Sequence, residues 1–192
     1  MHDTLSARIH PRRATESLAA AVVALGGEVV RQAARRGPVI WATGWQGLVK
    51  AGGSGVKGQA ALLRFDAHDR PQLFAGGIHI VPHGDGTLAI GSTSEPRWDD
   101  PTATDAQLDD LIDRATQCFP VLRGAEVVQR WAGVRPRAAS RAPILGADPT
   151  LPGDYIANGG FKIGFGMAPL VGEVMADLVL EGIDRIPAGF RP

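Results

Sequence analysis

The segment that most restricts the fold of this chain is a glycine-rich stretch at residues 155–170. It begins with a short apolar run at 155–157, which is typical of a strand. Glycines then recur between positions 159 and 166, so the backbone can turn sharply and lie close to another group. Pro169 stands where the first turn of a helix is expected to begin. The stretch therefore predicts a strand, a glycine loop and a helix in succession.

The predicted helix after the loop has an apolar face that stops near Gly182. Its apolar residues are Leu170, Val171, Val174, Met175, Leu178 and Val179. A glycine loop that leads into a helix N-terminus brings together backbone N–H groups and the positive end of the helix dipole. Such a site suits an anionic or electron-rich ligand group, although an ordinary strand–turn–helix fits the local pattern equally well.

Length and composition exclude several classes of protein. The 192 residues, of which 44% are hydrophobic, suffice for one sizeable domain or two small ones with a packed core. The formal net charge of zero argues against nucleic acid or an anionic membrane surface as the main partner. The sequence contains no apolar run of about 18 residues, so it predicts no transmembrane helix. The single Cys118 excludes an intrachain disulfide and is compatible with a reducing cytosol, so we expect a cytoplasmic location.

The first part of the chain predicts one helix and two strands. Residues 11–25 carry apolar residues at helical spacing and are followed by paired glycines, which indicates a helix. Residues 28–30 are a short strand candidate. The apolar segment 38–44 predicts a buried strand that runs into a glycine turn.

A dinucleotide-binding fingerprint occurs formally at Gly53-x-Gly55-x-x-Gly58. The mechanism of that fingerprint needs a strand before it and a helix after it. The residues that follow, 59–65, instead have the composition of a strand. We therefore interpret the match as accidental.

The middle of the chain predicts a hairpin, a helix and another strand. Alternating apolar residues at 74–93 surround a turn at 83–86, which is typical of a β-hairpin. Thr104 and Gln107 have the spacing of a capping box, and Pro120 ends the helix that follows. The apolar stripe of this helix consists of Leu108, Leu111, Ile112, Ala115 and Phe119. A further strand is predicted at 127–131.

Few side chains form a catalytic pattern. The histidines are scattered without metal-ligand spacing, and no Gly-x-Ser-x-Gly nucleophile motif occurs. Cys118 falls on the apolar side of its helix and is predicted to be a core residue. His79 lies between apolar strand residues, where a structural or pocket-lining role is favoured over a catalytic base.

Arg135 is the most informative charged residue. It follows a strand that contains Trp131 and stands between Gly133 and Pro136, which predicts a rigid turn. A guanidinium held in this way suits bidentate binding of a carboxylate, although a surface or ion-paired arginine is the alternative. Lys162, inside the glycine loop, is expected to bias the electrostatics beside a ligand or to be solvated.

Taken together, these residues resemble the FAD-dependent D-amino-acid oxidase superfamily, which includes glycine oxidase and sarcosine oxidase. The likeness spans most of residues 8–182. Its four blocks are 8–30, 39–44, 78–93, and a C-terminal block that combines 131–136, 143–146 and 158–172. The C-terminal block is the most specific of the four.

The resemblance implies an α+β (mixed α/β) fold with two domains. Residues 8–46 and 140–182 would form part of a Rossmann-like FAD-binding domain. Residues 56–137 would form a substrate-binding domain built on an antiparallel sheet.

The resemblance also implies roles for individual residues. Arg135 would bind the substrate carboxylate, and His79 falls where relatives often have a tyrosine that contacts substrate. The glycine loop would lie against the flavin, while earlier residues would contact the adenosine side. The residues expected to bind FAD non-covalently are Val29, Val30, Ala42, Thr43, Gly44, Gly160, Phe161, Lys162, Ile163, Gly164 and Phe165. No catalytic acid or base and no metal ligand is implied, because positioning does most of the work in this chemistry.

The implied reaction is oxidation of an amino acid or amine by hydride transfer from the amine-bearing carbon to flavin N5. Family members begin with a βαβ unit that bears the true Gly-x-Gly-x-x-Gly, and we find no such unit here. The chain is therefore expected to be a fragment, a subunit of a split enzyme or a remnant. Its expected partner is a chain that supplies the missing unit, or a second copy in a homo-oligomer. The alternative is a non-catalytic domain that binds a partner chain or a small carboxylate without FAD.

Overall fold

The structure is a computed structural model that describes residues 7–50 and 52–192, without the side chain of Lys50. The described part of the chain is mixed α/β, as predicted. Its helices are α1 (Pro11–Ala24), α2 (Gly44–Lys50), α3 (Ala106–Cys118) and α4 (Gly164–Ala176). Its strands are β1 (Ile40–Trp41), β2 (Ser54–Arg64), β3 (Leu73–Ala75), β4 (Ile78–Pro82), β5 (Thr87–Gly91), β6 (Val127–Arg137), β7 (Ile144–Ala147) and β8 (Tyr155–Asn158). Single 3₁₀ turns lie at Pro120–Leu122 and Ala188–Phe190.

The chain divides into two compact units. Unit 1 consists of 1–34, 59–93 and 104–131, and unit 2 consists of 35–58, 94–103 and 132–192. The long strands β2 and β6 each contribute residues to both units. The strand order of the five-stranded sheet is β3-β4-β5-β2-β6, and that of the three-stranded sheet is β1-β8-β7.

The predicted hairpin at 74–93 is confirmed, and the structure extends it. Strand β4 pairs with β5 in antiparallel fashion, and the additional short strand β3 pairs with β4. The side chains of Ile78 and Ile80 are buried while that of His79 between them is exposed, as the period of two in a strand requires. The apolar core of unit 1 consists of Ala61, Leu63, Ile78, Ile80, Leu88, Ile90, Leu108, Leu111, Ala115 and Leu122.

Helix α3 has the predicted apolar face, but its N-cap differs from the prediction. Asp105, not Thr104, is the N-cap, and its carboxylate accepts a 3.0 Å hydrogen bond from the backbone N–H of Gln107. The buried amide of Gln59 selects this residue, because it donates to the Asp105 carboxylate and accepts from the Asp105 backbone N–H, both at 2.8 Å. The capping-box prediction was therefore wrong by one residue. Cys118 is exposed at the end of α3 rather than buried in the core, which also corrects the prediction.

The N-terminal helix is present, but the strand predicted after it is not. Helix α1 has no buried residue, and Val29 and Val30 are 62% and 56% exposed. No strand of the described residues pairs with 28–30. An extended segment becomes a strand only when a neighbour takes up its backbone hydrogen bonds, and sequence pattern alone does not reveal the neighbour.

The three-stranded sheet of unit 2 organises the C-terminal half. Strand β8 pairs in parallel with β1 and antiparallel with β7. Its core consists of Leu145, Met175 and Ile186, with partly buried residues of α4 against it. The strand predicted at 38–44 is reduced to Ile40–Trp41 and is exposed rather than buried, because within this sheet β1 has a neighbour on one side only.

Helix α4 begins earlier than predicted. Its first residue is Gly164, so Pro169 lies inside the helix instead of opening it. A proline has no N–H to donate to the carbonyl of Phe165 four residues earlier, so the first turn continues without that bond. The helix passes into one π turn at Asp177–Glu181 and ends at Gly182 with a φ of 69°, close to the predicted end. Leu170 is 59% exposed and is an exception on the predicted apolar face.

The Gly53-x-Gly55-x-x-Gly58 segment is a strand, which confirms that the fingerprint match is accidental. Gly55 and Gly58 lie within β2, and β2 continues to Arg64 without a helix. Among the described residues, no helix is long and apolar enough to cross a membrane. In the same part of the chain, no group of three or more His, Cys, Asp or Glu residues has an arrangement that could hold a metal ion.

Candidate functional site

The glycine loop between β8 and α4 is held by backbone and amide hydrogen bonds within unit 2. The Asn158 side-chain amide donates to the Gly44 carbonyl at 2.9 Å and accepts from the Gly159 N–H at 2.8 Å. The Phe161 N–H donates to the Pro136 carbonyl at 3.1 Å. Gly159 has a φ of 81°, a left-handed conformation that favours glycine, so the chain turns sharply at this point. These bonds bring the end of β8 to the turn after β1.

A small cavity of about 260 Å³ lies beside this loop. Four of the predicted FAD-contacting residues line it, namely Ala42, Gly44, Gly160 and Gly164. The remaining lining residues are Pro136, Pro143, Leu145, Ala157, Asn158, Gly159, Met167, Ala168 and Val171. The fold therefore brings together two predicted segments that are more than 100 residues apart in the sequence.

A larger cavity of about 760 Å³ lies in the same unit, and Asn158 lines both cavities. Predicted residue Thr43 lines the larger one together with Trp41, Ile156 and Leu151, and the lining is mainly apolar. Pockets for small molecules typically measure about 300–1,000 Å³. The larger cavity thus has the volume of a ligand site, whereas the smaller one suits only part of a ligand.

The other predicted residues of the loop are more exposed. Lys162, Ile163 and Phe165 are exposed, and Phe161 is half-buried. The Lys162 ammonium lies 5.7 Å from the centre of the Phe161 ring, which gives this lysine a local partner. Val29 and Val30 belong to unit 1, and neither lines the two cavities. Their contact with a cofactor stays a prediction.

The loop has the features needed to approach the ring end of FAD. A side chain at position 160 would place its Cβ 2.9 Å from the Cα of Gly164, so only glycine allows this tight turn. A Cβ at Gly164 or Gly166 would meet open space, so the backbone there is accessible at the start of α4. The first N–H groups of a helix have no partner within the helix and attract electron-rich groups. The residues present therefore fit a flavin ring.

The glycines of the formal fingerprint do not fit the pyrophosphate of FAD. Side chains of unit 2 occupy the space above two of them, Gly55 and Gly58. A Cβ at Gly55 would lie 2.4 Å from Val134 Cγ1, and one at Gly58 would lie 2.2 Å from a guanidinium nitrogen of Arg135. A phosphate-binding loop needs free backbone around its glycines, which this strand lacks.

Arg135 lies in strand β6, not in the turn that its glycine and proline neighbours predicted. Pairing with β2 extends β6 to Arg137, because the sheet accommodates both Gly133 and Pro136. The Arg135 side chain is half-buried, and one guanidinium nitrogen donates a long 3.4 Å hydrogen bond to the Lys57 carbonyl. Burial lowers the pKa of Arg135, and the negative charge of Glu95 acts in the opposite direction. The guanidinium is therefore a partly desolvated cation in unit 2.

A buried ion pair lies next to this guanidinium. The Lys57 ammonium is 3.8 Å from a Glu95 carboxylate oxygen, with side-chain exposures of only 5% and 7%. The two backbones form a two-hydrogen-bond bridge at 2.9 and 2.8 Å. The sequence analysis did not identify either residue, although a lone charge in an apolar strand such as β2 is a usable signal.

Asp154 is a further buried charge that sequence reasoning missed. Its side chain is fully buried, and its carboxylate accepts hydrogen bonds from Arg35 Nη2 at 2.5 Å, Trp41 Nε1 at 3.0 Å and the Val39 N–H at 3.2 Å. This carboxylate fixes the segment around β1, which leads directly into the Ala42–Gly44 turn. A single aspartate in a loop before a strand carries no signal of this role.

His79 belongs to unit 1, whereas Arg135 belongs to unit 2. The His79 ring is exposed on β4 and packs on the Phe74 ring of β3, with centroids 4.5 Å apart. This cross-strand pair leaves a face of the imidazole accessible. The role of His79 toward a substrate stays a prediction.

Comparison with known proteins identifies the family. Residues 1–178 match the FAD dependent oxidoreductase family. Glycine oxidase from Pseudomonas aeruginosa is 34% identical over 140 residues, which cover 71% of this chain and 38% of that protein. The crystal structure of glycine oxidase from Geobacillus kaustophilus matches with a TM-score of 0.70 and 30% identity, over 80% of this chain and 44% of that one.

A second solved structure supports the fold. L-proline dehydrogenase from P. horikoshii matches with a TM-score of 0.75 over 92% of this chain and 57% of that one, at 22% identity. The chain spans about two fifths of the length of the glycine oxidases that it matches. The predicted fold class, a mixed α/β structure of D-amino-acid oxidase type, is confirmed. The chain belongs to the FAD-dependent oxidoreductases of the D-amino-acid oxidase and glycine oxidase superfamily.

Proposed function

We propose that this chain is the substrate- and flavin-ring-binding part of an FAD-dependent oxidoreductase that oxidises an amino acid or amine. The observation that carries the proposal is the half-buried guanidinium of Arg135 in the unit that also contains the glycine-lined cavity. Pro136, the next residue in the chain, lines that cavity. A carboxylate bound by Arg135 would lie in the same unit as the cavity in which the flavin ring is expected.

The Arg135 guanidinium itself favours an anionic ligand, because it is a permanent cation in a partly buried position. The Lys57 ammonium and the Glu95 carboxylate form an ion pair in the same unit. In a partly desolvated site, charge-assisted hydrogen bonds to a guanidinium are about twice as strong as neutral ones. Arg135 would orient the substrate, and His79 would contribute to substrate selection.

The glycine loop would hold the flavin ring. Backbone N–H groups at the start of α4 and the helix dipole would stabilise the electron-rich edge of the ring. When bound, FAD supplies the N5 position that accepts a hydride from the amine-bearing carbon of the substrate. The contacts would come from 160–165 on the ring side, and from Val29, Val30 and 42–44 on the adenosine side.

The grip on the pyrophosphate would come from elsewhere. We infer a partner that supplies a Gly-x-Gly-x-x-Gly unit, either another chain or a segment of a longer protein, with a homo-oligomer as the alternative. Strand β1 has one sheet neighbour and an exposed edge, which suits such an addition. The 8–46 and 140–182 segments would then complete an FAD-binding domain beside a substrate-binding domain at 56–137. The single cysteine supports a cytoplasmic location.

A second candidate is a non-catalytic domain that binds a small carboxylate or a partner chain without FAD. The observation that favours it is that the glycines of the formal fingerprint have no free space for a phosphate. The side chains of Arg135 and Val134 occupy the space above Gly58 and Gly55. Both candidates share the carboxylate site. They differ only in whether flavin binds.

Flavin titration separates the two candidates. The purified chain is mixed with FAD, alone and with a separately expressed βαβ unit that carries Gly-x-Gly-x-x-Gly. The first candidate predicts a shifted flavin absorbance band and quenched fluorescence, at least in the presence of the added unit. A chain that takes up no FAD under either condition excludes the first candidate and retains the second.

Arg135→Leu tests the substrate site. We expect turnover of a carboxylate substrate to be abolished while flavin content is unchanged, because the guanidinium acts on substrate and not on the cofactor. Gly133→Ala, in the same strand and with open space around the added methyl group, is the control. Equal activity of the Arg135→Leu variant and the parent protein would remove Arg135 from the site.

A further inference from the structure

Gly58 lies directly beneath the guanidinium of Arg135 in unit 2. A Cβ built on Gly58 would lie 2.2 Å from Nη2, 2.4 Å from Nη1 and 2.6 Å from Cζ of Arg135. These distances are far below van der Waals contact, so the three atoms occupy the space that any side chain at position 58 would need. No other residue type fits there while the guanidinium keeps its place.

The backbone of Gly58 does not explain why glycine is present. Gly58 lies in the interior of β2, outside the left-handed region that favours glycine. A glycine inside a strand weakens the strand relative to alanine and often marks the close approach of another group. Here the approaching group is the guanidinium.

Other glycines of the same sheet behave differently. Gly133 lies in β6, two residues before Arg135, and a Cβ there would meet nothing within 4 Å. Gly91 in β5 would meet the Ala60 Cβ at 3.1 Å, an apolar side chain and not a charged group. The fit between bare backbone and guanidinium is therefore specific to position 58 among these three.

We propose that Gly58 is a positioning residue for Arg135, whose bare backbone sets the depth at which the guanidinium lies and so the place where a substrate carboxylate binds. The inference rests on the proposed function for the carboxylate and adds a determinant outside the residues that touch the ligand. Arg135 Nη1 also donates a 3.4 Å hydrogen bond to the carbonyl of Lys57, the residue before Gly58 in β2. This bond restricts the position of the guanidinium as well.

A methyl group at position 58 would clash with a flexible side chain, that of Arg135. The clash falls on the far end of the Arg135 side chain and not on backbone, so the guanidinium can move aside while the sheet persists. Its displacement separates it from the Lys57 carbonyl and changes its distance to Glu95. Gly58→Ala is therefore expected to weaken carboxylate binding far more than it changes stability.

The first measurement is the NMR signal of the Arg135 guanidinium group. In ¹⁵N-labelled protein, the Nε–H signal of Arg135 is assigned by its loss in Arg135→Leu. We expect Gly58→Ala to shift this signal and Gly133→Ala to leave it in place. An unmoved signal in Gly58→Ala overturns the proposal, whether or not the protein binds a carboxylate.

The second measurement is a titration with acetate, followed on the same spectra. The parent protein and Gly133→Ala should bind acetate with equal affinity, and Gly58→Ala should bind at least tenfold more weakly. In an Arg135→Leu background, Gly58→Ala should cause no further loss of acetate affinity, because Gly58 acts only through the guanidinium. A further loss of equal size in that background overturns the proposal.

Two remaining outcomes are also decisive. If Arg135→Leu binds acetate as well as the parent protein, the proposed carboxylate site is wrong, while the Nε–H signal still decides the role of Gly58. If Gly58→Ala does not fold, the double variant Gly58→Ala/Arg135→Ala is examined. Recovery of folding in the double variant supports the proposed contact between Gly58 and the Arg135 guanidinium. Failure to recover shows that the clash lies elsewhere and overturns the proposal.

Discussion

Within the described residues, the main core of unit 1 contains ten buried apolar residues, whereas that of unit 2 contains three. The buried charges show the opposite distribution, because Lys57, Glu95 and Asp154 all belong to unit 2. The buried polar residues of unit 1 are Gln59 and His83. Unit 1 is thus stabilised mainly by apolar packing, and unit 2 by a smaller core together with desolvated charge.

This difference suggests that the two units have different roles, one mainly in stability and the other also in binding. Burial of charge costs free energy unless each charge has partners. The guanidinium of Arg135 and the glycine loop both belong to unit 2, the unit that holds the buried charges. We expect substitutions in unit 1 to change stability, and substitutions in unit 2 to change binding as well.

The largest effect is expected for Leu108→Ala in the core of unit 1. Leu108 on α3 is completely buried, and its truncation removes apolar contact and leaves a cavity. We expect the free energy of unfolding to fall by about 4 kcal/mol. Urea-induced unfolding, monitored through the hydrogen exchange of unit 1 amides, measures the change in the free energy of unfolding. Leu170→Ala, at a 59% exposed leucine on α4, is the control and should change stability by less than about 0.5 kcal/mol.

Glu95→Gln in unit 2 is expected to cost about 3 kcal/mol, because it leaves the Lys57 ammonium buried without its carboxylate. Trp41, Trp45 and Trp98 lie in unit 2, so unfolding of this unit can be followed by fluorescence in a Trp131→Phe background. Replacing both partners, as Lys57→Met with Glu95→Leu, should restore much of the loss. If the single variant is as stable as the parent, buried charge is not what distinguishes unit 2.

Periodic elements could be predicted from the sequence, and elements defined by a distant neighbour could not. The β4–β5 hairpin and the apolar face of α3 follow from local spacing, and both are confirmed. The strand predicted at 28–30 failed because strand formation depends on a pairing neighbour far away in the sequence. The N-cap of α3 moved to Asp105 because Gln59, 46 residues earlier, binds it.

The candidate site divides in the same way. The glycine loop and Arg135 were identified from the sequence because their residue types are unusual for their surroundings. Glu95 and Asp154 were missed because their importance comes from burial, which only the folded chain determines. Gly58 was noticed for a motif that it does not form, and the contact that explains it comes from Arg135 on another strand.

The pH dependence of unit 1 tests whether any of its stability depends on a buried ionisable group. The pKa of His83 is lowered from its usual 6.5, first by burial and then by the positive charge of His10. Arg13 and Arg8 lower this pKa as well, and Asp85 raises it. The rings of His83 and His10 lie 4.3 Å apart, close enough for a charge on His10 to disfavour protonation of His83.

The sign follows from proton binding. Between the folded pKa of His83 and about 6.5, the unfolded chain binds more protons than the folded chain. Stability therefore rises with pH in this window and is lost as the pH falls below about 6.5, with a slope of at most about 1.4 kcal/mol per pH unit for one proton. Unfolding measured between pH 5 and 8 should show this slope, and His83→Gln should reduce it. His68→Gln is the control, because Asp66 raises the pKa of the exposed His68 and gives a contribution of opposite sign.

The smallest effect is expected for the surface ion pair of Arg64 and Glu126 in unit 1. Their atoms are only 2.8 Å apart, closer than the 3.8 Å of Lys57 and Glu95, but both side chains are about two thirds exposed. Water and salt screen an exposed pair, so Arg64→Gln should cost less than about 1 kcal/mol and nothing measurable in 0.5 M salt. The closer pair is thus predicted to be the less costly to break, because desolvation and not distance determines the cost. Urea unfolding of Arg64→Gln and Glu95→Gln at low and high salt compares the two directly, and an equal loss in both would contradict the proposed difference between the units.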